Sequence, residues 1–400
     1  MLKQNHRAWV EIDLAAIFSN VQQFKALLRE PTEMMAVVKA DAYGHGAVDV
    51  SQTALAAGAK CLGVATIPEG IQLRQAGITA PIVVLGATNS PDEIMAIAEY
   101  RLSPTIGQVK QALVFNEVLT KLAHVPPLPI HAKIDTGMTR LGVNSDEALG
   151  FIQLLHHLPR LHLAGIYSHF ATADDPNPTI MRQQYQRFQR VITDVTTHLS
   201  WHGLPTPKLH ICNTAGMLMD QSQHHDMVRL GLGIYGLYPA PHLRSKVKLR
   251  PALSVRARIT QVKSIAAGTG ISYGHAFVAS EPMRVATVAI GYADGVPRGL
   301  SNRLRVSLHN KCAAQLGTIT MDQCMIDVTH IPEAQVGDVV TFLGTGMGAD
   351  STSTADDWAQ LLGTISWEIL CGFKHRLPRI NIHVPQPEEL SKDMITPVRY

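Results

Sequence analysis

The chain is short of the features that would place it in a membrane or outside a cell. Its five cysteines, Cys61, Cys212, Cys312, Cys324 and Cys371, are an odd number and form no C-x-x-C pair. That argues against a disulfide framework or a zinc site and for reduced thiols in the cytosol. The start, MLKQNHRAWVEID, lacks the apolar segment of a secretory leader, and no stretch is long and apolar enough to span a bilayer. The expectation is a cytoplasmic chain that begins at or near Met1. An excess of charge of one sign is missing too. Thirty-five basic and 32 acidic residues leave +3, too little to imply a nucleic-acid or acidic-surface partner. The one basic cluster, Arg244, Lys246, Lys248, Arg250, Arg256 and Arg258, spans a linker and one face of an alternating strand, and reads as solvated surface.

What is present is apolar content, 46% of 400 residues, enough for more than one core. The stretch AVVKADAYGHG, residues 36–46, organises the rest. Met34 to Val38 is a continuous apolar run and predicts a strand buried on both faces. Lys39 then places an amine at the lip of a sheet, where partial desolvation favours the neutral form that attacks an aldehyde.

Trp9 to Ile12 predicts a short strand, and Asp13 caps a helix with apolar Leu14, Ile17, Val21, Phe24 and Leu28 at helical spacing. After Lys39, strands are expected at residues 61–65, 81–85, 102–106, 128–134, 161–167, 208–211 and 227–230. Ala-rich or amphipathic helices fill the gaps, for example at 47–57, 91–100, 148–155 and 180–199. With the strand before Lys39 that makes eight, and the alternation predicts a parallel (β/α)8 barrel over residues 12–242. After Pro239 and Pro241 the period changes to that of strands, with Leu253, Val255, Ala257 and Ile259 alternating with polar residues. Further strands are expected at 284–290, 304–308, 314–319, 325–328 and 338–343, with a helical insert started by Ser353 or Thr354. Residues 243–400 are therefore expected to form a mainly-β domain, with a strand within residues 1–11 as a candidate addition.

Barrels of this kind carry reactive groups at the C-terminal ends of their strands. Lys39 ends the first expected strand, Lys133 and Asp135 the fifth, His169 the sixth, Asn213 and Thr214 the seventh and Arg229 the eighth. The loops after the last two strands, Asn213-Thr214-Ala215-Gly216 and Gly231-Leu232-Gly233, occupy the usual phosphate-binding places. Gly231 to Gly236 is also a literal G-x-G-x-x-G, but the prolines behind it forbid a long helix, and no acidic residue between Leu237 and Arg258 could hold a ribose. Gly344 to Gly348 is expected to be a plain loop. Tyr273 and Tyr292 each sit in a glycine-flanked loop of the β domain.

The motifs AVVKADAYGHG, KIDTGMTRLG, SHFATAD, VRLGLGIYG, ISYGHAF, IGYADG and TMDQCMID occur in that order. Together they resemble the bacterial alanine racemases, isomerases that use pyridoxal 5'-phosphate and consist of a barrel and a C-terminal β domain. The resemblance covers nearly the whole chain. It implies that Lys39 holds the cofactor as an aldimine and that Tyr43, Asn213, Thr214 and the backbone at Gly231 and Leu232 hold its phosphate. Arg229 would bond the pyridine nitrogen, leaving it unprotonated and the ring a weaker electron sink. His169 would support Arg229. Racemisation removes a proton from one face of Cα and delivers one to the other, so two bases are implied: Lys39 for the D-enantiomer and Tyr273 for the L-enantiomer. Tyr273 and Met321 would come from the partner subunit of a homodimer. Neutral tyrosine is a weak base, so nearby positive charge has to favour its phenolate. Arg140 and the Met321 amide would bind the substrate carboxylate, Tyr292 would line the entrance, and Lys133 would be carbamylated, since otherwise two cations lie side by side. The product would be D-alanine for peptidoglycan.

Three other readings compete. A pyridoxal-phosphate amino-acid decarboxylase would carry a different phosphate loop and a cysteine-centred motif. A non-catalytic pyridoxal-phosphate-binding protein would lack the second domain. Nucleic-acid binding would rest on the basic cluster alone. The chain also departs from the family's S-Y-R-V-P-R segment. It has Lys374-His375-Arg376-Leu377-Pro378-Arg379, with His375 in place of a tyrosine that helps hold the phosphate and wall the pocket. A shorter imidazole there predicts relaxed specificity, toward serine in particular. His375→Tyr is expected to lower serine turnover relative to alanine; serine rates in the variant that equal or exceed those of the unaltered chain would contradict this.

Overall fold

A computed structural model describes residues 6–122, 126–200, 205–344, 354–373 and 375–384. Contacts divide it into two compact units. One comprises Ile17–Ala42 and Ala47–Arg250; the other comprises residues 6–16, Tyr43–Gly46 and Pro251–Val384.

Eight parallel strands run in sequence order around the first unit: Glu33–Val37, Cys61–Val64, Ile82–Val84, Ser103–Ile106, Leu128–Asp135, Leu161–Tyr167, Lys208–His210 and Met227–Leu230. The eighth pairs with the first, Arg229 opposite Met35. Between the seventh and eighth, the Asp226 amide donates to Leu209 O at 3.1 Å and the Arg229 amide to Cys212 O at 2.9 Å. The sheet is thereby closed into the (β/α)8 barrel that the alternation predicts. Its strands are apolar nearly throughout, because helices cover their outer face and side chains fill the inside. The filling is uneven. Met35, Cys61, Val83 and Met227 form an apolar cluster on strands eight, one, two and three. Strands four to eight instead carry buried Thr105, His131, Lys133, Tyr167, His210 and Arg229.

Local signals start the covering helices where they are needed. Pro91–Glu99 begins with a capping box in which Ser90 Oγ accepts the Glu93 amide at 3.3 Å and Glu93 Oε2 accepts the Ser90 amide at 3.2 Å. Asp13 Oδ1 accepts the Ala16 amide at 2.8 Å at the head of Leu14–Lys25. Leu232–Tyr235 is a short 3-10 turn ended by Gly236 at φ 88°, and no helix of nucleotide-binding length follows.

In the second unit the long strand Leu253–Ile265 pairs antiparallel with Val339–Leu343 along its first half and with Met283–Val288 along its second, with a register shift between Ile259 and Gln261. Met283–Val288 continues to Cys324–Asp327, then Lys311–Leu316, Arg305–Leu308 and back to Val339–Leu343. Six strands thus form a closed ring that leaves few bare edges. Ala8–Asp13 adds antiparallel to Leu253–Ile265, and Arg379–Ile382 adds parallel to Ala8–Asp13. Lys311–Leu316 starts three residues before the expected 314–319. The cause is the two-residue turn His309-Asn310, at φ 52° and 60°, whose left-handed pair suits a tight hairpin without the glycine that signals one. Thr354 caps the helix Ala355–Leu362, accepting the Asp357 amide at 3.1 Å. The glycine run after Gly344 lies outside the described residues.

Asn20 is fully buried in the first helix. Its amide donates to Ile234 O at 3.1 Å and Arg250 O at 2.8 Å, and its Oδ1 accepts the Arg250 amide at 2.9 Å. Asn20→Ala strands these backbone groups and is expected to cost about 1–3 kcal/mol, measured as a lowered midpoint of denaturant unfolding with the far-ultraviolet spectrum unchanged.

Candidate active site

Barrel strand one ends at Val37, and the Val38 amide still donates to Gly63 O at 2.8 Å. The next six residues, Lys39–Gly44, wind one helical turn of left hand, with φ 53° at Ala40, 52° at Asp41, 53° at Ala42 and 53° at Tyr43. None of the four is glycine. L-residues in this hand cost about 1–2 kcal/mol each, roughly 4–8 kcal/mol together, so the surroundings have to hold them there. The Ala42 amide donates to Val38 O at 2.9 Å. Asp41 Oδ1 accepts the Ala47 amide at 2.8 Å, and Glu69 Oε1 accepts the Ala40 amide at 2.7 Å. Half-buried Lys39 heads this turn. The left hand of this turn was not expected from the sequence.

Arg229 is buried and has no carboxylate partner among the described residues. Its Nη1 lies 2.8 Å from His210 Nδ1 and its Nη2 2.9 Å from His169 Nδ1; Nη2 also donates to Ser168 O at 2.8 Å and Ile211 O at 2.9 Å. A guanidinium only donates, so both Nδ1 atoms accept, and each histidine carries its proton on Nε2. His210 Nε2 then donates to His131 Nδ1 at 3.0 Å. Tyr167 stacks on His210 with centroids 4.7 Å apart. Its hydroxyl lies 2.7 Å from Thr105 Oγ1, which itself donates to Val84 O at 2.8 Å. Burial, and then the Arg229 charge, push His169 and His210 well below the usual histidine range and His131 down to about 3. Burial pulls Arg229 itself to about 10, so it stays charged at neutral pH. Gly165 sits against the His131 ring, and a Cβ there would lie 2.3 Å from Nδ1. His131, Tyr167, Thr105 and His210 were not singled out from sequence; the available signal was polar residues inside otherwise apolar barrel strands, as in LPIHAKID.

Lys133 Nζ lies over the Tyr167 ring, 4.4 Å from its centroid. Burial first, then the Arg229 and Arg140 charges, hold its amine well below the usual lysine range. Asp135 opposes its own burial by accepting the amides of Gly137, Met138 and Thr139 on Oδ1 at 2.9–3.1 Å, and stays below the usual carboxylate range. This fixes the loop that carries exposed Arg140 on the wall of a cavity of about 190 Å³, beside Thr105, Gln111 and Asp135.

The loops after strands seven and eight meet. Asn213 Oδ1 caps Thr214–Met219 by accepting the Gly216 amide at 2.9 Å, and Thr214 Oγ1 accepts the Gly231 amide at 3.1 Å. Leu232 follows, and a Cβ on Gly233 would lie 2.4 Å from Phe24 Cζ and 2.8 Å from Thr214 Cγ2, so glycine is required for this approach. Arg229 and Arg140 bring positive charge to the end of the barrel where Lys39 and Lys133 supply amines, and a group with a phosphate and a carboxylate-bearing substrate suit that donor set.

The second unit carries the remaining expected residues. Tyr273, Met321 and Tyr292 are exposed at 73%, 53% and 40%. Thr318 Oγ1 donates to Tyr273 O at 3.1 Å and Ser272 Oγ to Thr318 O at 2.6 Å, while the Ala293 amide donates to Met321 O at 3.0 Å and the Tyr292 amide to Thr320 O at 3.0 Å. The three loops are therefore laced together. Asp294, fully buried, binds Arg7 through both oxygens at 2.6 and 3.0 Å and accepts the Gly291 amide at 3.0 Å, which locks the Tyr292 loop. Tyr43 is buried, and burial raises its hydroxyl far above the usual tyrosine range. His375 is exposed.

The profile of the alanine racemase N-terminal domain matches residues 12–239 and that of the alanine racemase C-terminal domain residues 252–381. An alanine racemase of a Nostoc species is 57% identical over 94% of this chain and 96% of its own, and one of a Synechocystis species 58% identical over 96% and 100%. Among solved structures, the alanine racemase from Bacillus anthracis with bound L-Ala-P is 36% identical over 94% of this chain and 95% of its own, with a TM-score of 0.85. The alanine racemase from Bartonella henselae with covalently bound pyridoxal phosphate is 29% identical over 94% and 100%, with a TM-score of 0.82.

The buried histidines set an acid limit. His131, His169 and His210 are neutral when folded but take up a proton in the unfolded chain below their ordinary value of 6.5. The unfolded state then binds more protons, so stability falls as pH drops below about 6.5, by about 1.4 kcal/mol per pH unit for each histidine. Denaturant midpoints between about pH 7 and pH 5 are expected to fall accordingly; a flat profile would show that the histidines protonate in place.

Proposed function

The chain belongs to the alanine racemase family, and from that premise we propose that it interconverts L-alanine and D-alanine with pyridoxal 5'-phosphate held on Lys39. The observation that carries the reading is a half-buried lysine at the end of one barrel strand, on the same rim as a buried arginine bonded by neutral histidines. When bound, the cofactor supplies a conjugated ring that takes up electron density as the Cα proton leaves.

The chain's own residues do the rest. Thr214, Asn213, Tyr43 and the amides at Gly231 and Leu232 hold the phosphate. Arg229 presents N–H donors to the ring nitrogen. Its Nε–H and one Nη1–H have no acceptor among the described residues. Because an arginine gives up its proton with difficulty, that nitrogen accepts a hydrogen bond and no proton. His169 can only accept from Arg229 on Nδ1, so it fixes the guanidinium in plane and points its own N–H away. Lys39 carries the proton on the face of the D-enantiomer and Tyr273 on the face of the L-enantiomer. Arg140 and the Met321 amide hold the substrate carboxylate, and Tyr292 lines the entrance.

An unaccompanied tyrosine, methionine and tyrosine exposed on laced loops fit a surface that a second copy covers. We therefore read the enzyme as a homodimer, with Tyr273 of the partner subunit and Met321 of the partner subunit completing each site. Burial lowers the proton affinity of Lys133 and so favours the neutral form of the amine, which adds carbon dioxide by forming an N–C bond and releasing one proton. The resulting carbamate is the anion that Arg140 lacks among the described residues. Five free cysteines suit a reducing cytoplasm, where the D-alanine would serve cell-wall synthesis.

With the purified protein and pyridoxal phosphate, the optical activity of L-alanine is expected to decay to zero with total alanine conserved. Loss of alanine would indicate decarboxylation, and an unchanged signal for alanine and serine with cofactor bound would indicate a binding protein. Tyr273→Phe is expected to lower kcat by roughly 10²–10⁴-fold. Protein equilibrated with ¹³C-bicarbonate is expected to show a carbamate resonance that Lys133→Gln removes.

A further inference from the structure

We propose that Glu69 is a positioning residue for Lys39, clamping the amide that follows the lysine to the entrance of the helix after barrel strand two. The proposal rests on the reading of Lys39 given above. Glu69 is the third residue of the helix Ile67–Gln75. One carboxylate oxygen does what a glutamate at that place ordinarily does: Oε2 accepts the amides of Ala65 at 2.7 Å and Thr66 at 3.1 Å. The other reaches 29 positions back along the chain, where Oε1 accepts the Ala40 amide at 2.7 Å.

The next βα loop provides a matched comparison. Glu93 is the third residue of Pro91–Glu99, and it spends its Oε2 on the amides of Asn89 and Ser90, at 3.3 and 3.2 Å. Among the described residues, the backbone amides that its carboxylate accepts are all local to its own helix end. What sets Glu69 apart is therefore the bond to Ala40, over and above the cap.

That bond lies where it matters. The Ala40 N–H belongs to the peptide plane that closes the ψ angle of Lys39, so its direction sets where the lysine Cα–Cβ bond points. The residues that follow are in a left-handed turn that they do not hold unaided. A charge-assisted hydrogen bond at the first amide of that turn pins the head of the lysine while Asp41 pins its body. Lys39 has to meet the cofactor and then face one side of Cα, and both tasks need a fixed starting point.

The test uses the full chain loaded with pyridoxal phosphate, as Glu69→Gln and Glu93→Gln. A glutamine has one acceptor oxygen and cannot serve both the helix end and Ala40. Both variants are expected to lose thermal stability, Glu69→Gln at least as much as Glu93→Gln. Only Glu69→Gln is expected to lose kcat/KM, by about ten-fold or more and equally in both directions because the equilibrium constant links them. In that variant the Cα-deuterium isotope effect is expected to rise for D-alanine, on which Lys39 acts, and to fall for L-alanine. Without substrate, the pH titration of the bound cofactor's absorbance is expected to shift its midpoint in Glu69→Gln and not in Glu93→Gln. If Glu69→Gln does not fold, Glu69→Asp keeps a carboxylate at the helix end while falling a methylene short of Ala40, and the same changes are expected. Isotope effects and titration that match those of Glu93→Gln would overturn the proposal and leave Glu69 a helix cap. Borohydride reduction of the unaltered enzyme followed by peptide mapping separates the two ideas: cofactor fixed elsewhere than Lys39 would overturn the reading of the lysine.

Discussion

A guanidinium shut inside a barrel, with no carboxylate partner among the described residues, constrains everything around it. Arg229 is bonded to carbonyl oxygens and to the Nδ1 atoms of His169 and His210. Desolvating such a charge costs several kcal/mol unless its donors are satisfied, and neutral imidazoles and carbonyls satisfy them without cancelling the charge. The histidines are in turn held neutral by burial and by the cation, and His210 passes its remaining donor to His131. The polar half of the barrel interior follows from this one residue. Arg229 also brings to this end of the barrel a charge for which an anionic ligand is a complement.

The second constraint is mechanical. A left-handed turn of four non-glycine residues does not persist by its own propensity. It persists here because Glu69 takes up the Ala40 amide, the Val38 carbonyl takes up the Ala42 amide, and Asp41, within the turn, ties it to the Ala47 amide beyond. Such a turn directs the chain away from the strand end within six residues, leaving Lys39 at its head. The strained residues 40–43 therefore follow directly on Lys39, so the conformation they are held in bears on how that side chain is presented.

In the β unit the logic is one of support rather than strain. A closed ring of strands gives rigid anchorage, and Asp294, neutralised by Arg7, and Thr318, between Tyr273 and Ser272, tie the loops to one another. Loops so well fastened do not expose a tyrosine and a methionine through looseness. The exposure is a property of the fastened loops themselves.

Much of this was legible in the residues. Alternating apolar runs and amphipathic helices specify a parallel barrel, because parallel strands covered by helices are apolar on both faces while the helices keep a 3.6-residue period. The change to period two marked the β unit, and capping signals at Asp13, Ser90 and Thr354 placed helix starts. Lys39, His169, Thr214 and Arg229 were visible as polar residues at strand ends. The hand of the Lys39–Gly44 turn was not visible, since ordinary alanines carry no sign of a left-handed conformation that distant acceptors enforce. Nor was the parallel strand Arg379–Ile382, which exists only because Ala8–Asp13 offers it an edge. The tautomers of His169, His210 and His131, and the reach of Glu69 to Ala40, were likewise decided by tertiary structure alone. Local propensity and periodicity act over a few residues and can be read along the chain, whereas burial, charge and hydrogen-bond direction depend on which distant groups the closed barrel brings together.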